Sequence, residues 1–235
     1  MNIAVFYHCR LSGGRNYLNY GDPNRSAINP DYARAQFRDQ MDVFVKSGLN
    51  KVRTHFFIGV NGPAEDVAFV RANCPPETTV IEHGDSAESL APTVCSIQEF
   101  ITRGAGWKVC FWHAKGVSHA HDPLNIAWRR CMERCVIWNW SRCVTDIGGR
   151  FDSTGAHWLT PENHPGLVHS PFWGGMFFWA KSEFLMTLPA IKKIPDNTQD
   201  WYGPEHWIGL GRRRPVVRDY APHWPGLAPC SHTAQ

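Results

Sequence analysis

Trp107-Lys108-Val109-Cys110-Phe111-Trp112-His113-Ala114-Lys115-Gly116 reads as a short strand, Trp107 to Trp112, running into a polar loop closed by glycine. It is the last of four such runs. Just upstream, Leu90 to Arg103 predicts a helix stopped by Gly104, with Pro92 in the first turn, where a missing N–H costs nothing. Before that come a third strand over Thr78–Glu82, a helix over Ala64–Asn73, and a second strand over Val52–Val60 closed by Asn61-Gly62-Pro63. Asn29-Pro30-Asp31 starts an earlier helix. Its apolar residues Phe37, Met41, Phe44 and Val45 fall at i, i+4, i+7 and i+8, and Gly48 ends it. The first strand is Ile3 to Tyr7, followed by a polar, Gly/Asn-rich stretch from Arg10 to Asn29. Strand alternating with helix predicts an α/β fold: a mostly parallel sheet of the nucleotide-binding kind, with helices on both faces.

Downstream the pattern changes. One long helix is predicted from Ala127 to about Asp146, followed by an irregular half dense in Trp, Phe, Gly and Pro. No repeat or linker marks a boundary, so 1–235 reads as a single domain, in line with about 150 residues per domain. The charges, 24 basic against 21 acidic, give +3, too even for a nucleic-acid coat or a polybasic membrane binder. With 43% hydrophobic and 19% charged residues the chain is not a disordered one. Its 11 tryptophans suit a core or a sugar-binding cleft.

The eight cysteines form no C-x-x-C pair; Cys131 and Cys135, four apart, fall short of a zinc site. They read as buried free thiols in a reducing compartment. Met1 to Tyr7 enters a strand directly, without a basic leader, and no window approaches the ~18 apolar residues of a membrane span. The expectation is a cytoplasmic protein without a transmembrane segment, with the inner membrane surface as the other location.

Residues just past the C-terminal ends of parallel strands face the ligand crevice. His113 and Lys115, two apart, point to the same side of an extended chain, and Gly116 permits a tight turn after them. A lysine there suits a phosphate, as a point charge with three donors; an isolated H-x-K is ordinarily an exposed lysine beside a loop histidine. His119 and His121 also alternate and, with His113 or Asp122, could supply three zinc ligands. Trp128-Arg129-Arg130 opens the long helix as predicted; arginine there opposes the macrodipole, so it either answers an anion or faces solvent. Phe172 to Ala180 joins Gly174-Gly175 to an aromatic run that reads as a ligand-approached or a bulged buried strand. Glu205 sits among aromatics in Trp201 to Gly209, where apolar surroundings raise a carboxyl towards the range of a general base; the plain alternative is a solvent-facing helix start.

Taken in order, these blocks resemble a family of small bacterial and viral proteins that look like GT-A-type glycosyltransferases. The resemblance runs through most of the chain. It is carried by Ile3-Ala4-Val5-Phe6-Tyr7-His8-Cys9, Gly59-Val60-Asn61-Gly62 and, most specifically, Phe111-Trp112-His113-Ala114-Lys115-Gly116 with His119 and Trp128-Arg129-Arg130. Gly155-Ala156-His157-Trp158, Gly174 to Ala180 and Glu205-His206-Trp207-Ile208-Gly209 complete it. The family pattern has glycine-asparagine in the aromatic block where this chain has Gly175-Met176. GT-A enzymes usually end the fourth strand in D-x-D, a carboxylate pair for a divalent metal; here the same place reads His113-Ala114-Lys115.

The resemblance implies a transferase moving a sugar from a nucleotide-diphosphate-sugar donor to a carbohydrate or glycolipid acceptor, without nucleic acid as a partner. A metal-independent reaction is expected, with no cofactor, since a protein cation can neutralise the departing diphosphate. The donor is expected near His8, Asn61, His113 and Arg129. Lys115 would stabilise the leaving group and Glu205 would serve as base. Asp152, His157, Trp173, Gly174, Gly175 and Trp179 are expected on the acceptor side, with Trp173, Trp179 and Trp201 offering flat faces to sugar rings. Two other readings stay open: a zinc hydrolase built on His113, His119 and His121, and a carbohydrate-binding protein without turnover.

Overall fold

The computed structural model describes residues 1–13, 28–84, 90–117, 122–164, 170–191 and 203–222. The alternating half begins with β1 (Asn2–Arg10), α1 (Pro30–Lys46), a single turn α2 (Leu49–Val52), β2 (His55–Asn61) and α3 (Ala64–Asn73). It continues with β3 (Thr78–Gly84), α4 (Ala91–Ile101) and β4 (Trp107–His113). The strands β3-β2-β1-β4 are hydrogen-bonded in that order and all parallel. The order reverses between β1 and β4, so the crevice at their C-terminal ends is the topological switch point.

Local signals explain most boundaries. Asn29 caps α1 through its side-chain oxygen, which accepts from the N–H groups of Asp31 (3.0 Å) and Tyr32 (3.2 Å). Ala33, Phe37, Met41 and Phe44 form the buried stripe of α1, whereas Val45, placed in that stripe from its spacing, is exposed. The second strand starts at His55 rather than Val52, because Leu49–Val52 coils into a turn that Arg53 closes.

The predicted long helix differs more. It begins at Pro123 instead of Ala127, with Asp122 capping Leu124 N–H at 2.9 Å. It runs as α5 (Pro123–Glu133), widens into a π-helical turn (Arg134–Trp138), and resumes as α6 (Trp140–Gly148). A wide turn breaks the regular ladder. The buried Trp179 indole donates to the Val136 carbonyl inside that turn at 2.9 Å.

The remaining elements are β5 (Ser153–Gly155), β6 (Trp158–Leu159), β7 (Phe172–Trp173), β8 (Phe178–Lys181), α7 (Ser182–Leu185), α8 (Gly203–His206), a 3₁₀ turn (Trp207–Gly209) and β9 (Val217–Asp219). β8 joins β4 antiparallel, and β5 and β9 extend the sheet to seven strands; β6 and β7 pair separately. The fold is α/β, with a mostly parallel central sheet and helices on both faces. One face packs Val5, Tyr7, Trp112 and Trp179 against α1, α3, α5 and α6. The other packs Ala4, Phe6, Phe111 and Phe178 against α4 and α7. Seven cysteines, Cys9, Cys74, Cys95, Cys110, Cys131, Cys135 and Cys143, are free thiols, of which Cys9, Cys110, Cys135 and Cys143 are buried; Cys230 lies outside the described residues.

Gly155 shows how tightly the antiparallel edge is packed. A Cβ there would lie 2.7 Å from the Phe177 carbonyl oxygen and 2.8 Å from the Trp173 ring. Gly155→Ala should therefore lower stability by about 1–3 kcal/mol, the usual cost of overpacking. The urea midpoint of the purified variant measures it, and an unchanged midpoint would show that this edge yields.

Candidate functional site

β1 and β4 deliver His8 and His113 as direct register partners at the crevice. Neighbouring strands lie about 4.8 Å apart, so these imidazoles stand side by side on the α4 face of the sheet. The His8 Nδ1 lies 2.8 Å from Thr93 Oγ1 on α4, and His83 Nε2 on β3 lies 3.1 Å from the same hydroxyl. Gly59 makes room for this bridge: a Cβ there would sit 2.0 Å from Thr93 Oγ1 and 2.6 Å from His83 Nε2. Arg10 and Asn61, both buried, close the β1–β2 end as register partners.

His113 donates from Nε2 to the Gly175 carbonyl at 2.8 Å, which leaves Nδ1 with its lone pair. Burial, then the Lys115 ammonium, push its pKa down to about 3 against the opposing pull of that carbonyl. Burial, then His113, His83 and Arg10, hold His8 well below the ordinary imidazole range, and burial lowers His83. All three are neutral at pH 7.

Lys115 is half-buried, its Nζ 4.5 Å from the centroid of the Trp128 ring. An ammonium over an indole face is attracted by the ring quadrupole. The loop that carries it is clamped from α1, where Gln36 donates to the Lys115 carbonyl (2.8 Å) and Gln40 to the His113 carbonyl (3.3 Å). Gln40 in turn accepts from Tyr7 Oη at 2.8 Å. The loop side chains His113, Ala114 and Lys115 include no carboxylate, a donor set that does not suit a hard divalent cation. Among the described residues no three His, Cys, Asp or Glu converge as metal ligands. His119 and His121, required by the zinc reading, lie outside the described residues, as does Trp201.

His157 borders the same region, its ring centroid 6.2 Å from that of Trp128. Asp219 fixes its backbone by accepting from the N–H groups of His157 (2.9 Å) and Trp158 (2.8 Å). His157 has φ +64° and Met176 has φ +56°, so two non-glycine residues in left-handed backbone flank Gly174-Gly175. Such positions cost about 1–3 kcal/mol each and gather where surroundings over-determine the chain. Asparagine tolerates that conformation better than methionine, so Met176 holds its backbone there at a cost. The closeness the two glycines permit is to protein atoms: Leu159 and His157 beside Gly174, and Met132 and Trp128 beside Gly175. Glu205 is half-buried on α8, whose His206 bonds Ser170 (2.9 Å) and stacks on Phe172 (4.5 Å), just before Gly174-Gly175.

Several expected site residues lie elsewhere. Trp173 and Trp179 are fully buried, their indoles donating to Ser153 Oγ (2.9 Å) and the Val136 carbonyl (2.9 Å), so neither offers a face to a sugar. Asp152 accepts from Arg213 through both oxygens (2.6 and 2.9 Å), beside Lys181, the register partner of Lys108. That is the opposite end of β4, about 16 Å from His113 along the strand. Arg129 is buried and pairs with Asp39 (3.0 Å) and Glu133 (2.8 Å). Because the helix begins at Pro123, Arg129 and Arg130 lie beyond its first turn, so neither opposes the macrodipole at a helix start. Burial pushes the Asp39 carboxyl up, but hydrogen bonds from Arg130 and Arg129 outweigh it and hold the pKa low. Arg129 is thus an internal counter-ion.

Gln36, Gln40, His83 and Thr93 were not anticipated. The two glutamines had a signal, polar residues one turn apart beside the apolar stripe of α1. Nothing local marked His83 or Thr93.

No family model and no curated protein matches the chain. Among solved structures it is similar to a protein described as a nucleotide-diphospho-sugar transferase from Desulfovibrio desulfuricans G20, at 11% identity and TM-score 0.49 over 87% of this chain and 74% of that one. It is also similar to CMP:2-keto-3-deoxy-manno-octonic acid synthetase complexed with CTP, at 8% identity and TM-score 0.43 over 94% and 90% of the two chains. A third is 4-diphosphocytidyl-2C-methyl-D-erythritol synthase, at 10% identity and TM-score 0.42 over 93% and 88%. At these values the likeness carries no functional argument. No described helix is long and apolar enough to cross a membrane.

The depressed His113 pKa has a consequence for stability. The unfolded chain binds a proton near pH 6.5 that the folded chain refuses down to about 3, so this stability is present above the unfolded value and lost as pH falls. The urea midpoint should drop between about pH 7.5 and pH 5. His113→Gln, which retains an N–H for Gly175 but takes up no proton, should drop less. Equal drops in the two proteins would place the sensitivity elsewhere.

Proposed function

We propose that the protein is a glycosyltransferase that moves a sugar from a nucleotide-diphosphate-sugar donor to a carbohydrate or glycolipid acceptor, in a metal-independent reaction. The observation that supports this most is the Lys115 ammonium at the mouth of β4, where the donor set has a cation in place of carboxylates. The nucleotide lies across the ends of β1 and β2, near His8 and Asn61, with His113 beneath it. As the glycosidic bond breaks, negative charge grows on the diphosphate, and Lys115 neutralises it. The α1 clamp and the Trp128 ring keep the ammonium in place before the reaction begins, so little reorganisation opposes the step. Arg129, Asp152, Trp173 and Trp179 take no part. The acceptor side falls to His157, the Gly174-Gly175 turn and Glu205, the base for the acceptor hydroxyl.

Lys115→Ala tests the leaving-group role. It should weaken nucleoside-diphosphate binding by roughly 1.5–3 kcal/mol, the range for hydrogen bonds to charged groups. Isothermal titration in EDTA reads this and should show wild-type binding unaffected by the chelator. Equal binding by the variant, or a requirement for manganese, would remove Lys115 from the role.

Glu205→Gln tests the base. Transfer should slow by roughly 10²–10⁴ with donor affinity nearly unchanged, because the group acts in the transition state. A normal rate would leave the reaction without this base.

A further inference from the structure

The Thr93 hydroxyl stands between two imidazoles, 2.8 Å from His8 Nδ1 and 3.1 Å from His83 Nε2. Thr93 is fully buried, and Gly59 leaves the space that the hydroxyl and His83 occupy. Both outer nitrogens, His8 Nε2 and His83 Nδ1, make no hydrogen bond among the described residues. One outer nitrogen belongs to a strand end at the crevice, and the other to half-buried His83 on the outermost strand of the parallel half. A three-membered chain with both ends open is the arrangement of a wire.

We propose that His8, Thr93 and His83 form a proton conduit that carries a proton from a ligand bound in the crevice to the outer edge of the sheet. In the receiving state His8 carries its proton on Nδ1 and donates to Thr93, whose hydroxyl donates to His83 Nε2. A proton arriving at His8 Nε2 releases the Nδ1 proton to the threonine oxygen. The threonine proton passes to His83 Nε2, and His83 gives up its Nδ1 proton to water. One proton enters, one leaves, and no charge accumulates. Burial supports this by keeping both imidazoles neutral, each with one N–H. The conduit goes beyond the transferase reading, since it requires only a proton released in the crevice, such as the one that Glu205 has taken from an acceptor hydroxyl.

The hydroxyl has a single proton, which dictates a matched pair. If Thr93 relays, both histidines are Nδ1–H or both are Nε2–H. If both imidazoles donate to the oxygen, His8 is Nδ1–H and His83 is Nε2–H, and no relay exists. Long-range ¹⁵N–¹H spectra of histidine-labelled wild-type protein, without substrate, distinguish the two. Matched tautomers are expected, kept in Thr93→Ser and uncoupled in the near-isosteric Thr93→Val. Mixed tautomers in the wild type, or matching that survives Thr93→Val, would overturn the proposal. With a nucleotide sugar that the protein turns over, Thr93→Val should slow transfer by ~10²-fold, the low end for a positioned acid–base group. The variant should change the solvent isotope effect, and Thr93→Ser should restore both. Wild-type turnover in Thr93→Val would overturn proton conduction, whereas failure of every nucleotide sugar to react would count against the transferase reading and leave the tautomer result to decide the conduit.

Discussion

The parallel pairing of β1 with β4, from Asn2 beside Trp107 to His8 beside His113, is the constraint on which the rest depends. β1 is central, with Ile3, Val5 and Tyr7 buried on one face and Ala4 and Phe6 on the other, so helices must cover both faces. Parallel neighbours demand crossovers, and the helices supply them. The same pairing places the reversal of strand order between β1 and β4, and with it the crevice. Everything polar in the site is arranged around that seam.

Polar side chains at the seam divide by the face they serve. On the α1 side, Gln36 and Gln40 hold the loop carbonyls, and Lys115 rests over Trp128. On the α4 side, burial keeps His8, His83 and His113 uncharged, so they act as neutral donors and acceptors beside the Lys115 ammonium. The charged cluster of Asp39, Arg129, Arg130 and Glu133 is closed on itself. Its pairs offset the cost of burying Arg129 and Glu133 and leave no net invitation to an outside anion.

The tryptophans show why composition misleads about sites. Trp112, Trp173, Trp179 and Trp207 are all fully buried, and the last three give their N–H to Ser153, Val136 and Pro189. A large ring with one polar handle serves such a core well, since its N–H reaches a polar group, here a serine hydroxyl or a backbone carbonyl, while the ring fills apolar space. Trp179 in particular serves the π-helical turn.

The sequence by itself determined the alternation of strands and helices, the cap at Asn29, the Ala64–Asn73 helix and the position of His113 and Lys115 at a strand mouth. These are local properties, set by apolar period, capping chemistry and glycine over a few residues. Tertiary structure alone decided the π-helical turn, the burial of Trp173 and Trp179, the removal of Asp152 to the far end of β4 and the pairing of Arg129. It alone joined His8 to Thr93 and His83. Thr93 lies 85 residues from His8 in the chain, and Trp179 lies 43 from Val136. No pattern within a strand or helix encodes which distant partner will meet a side chain; that follows from the register of β1 against its neighbours and from the faces its helices cover.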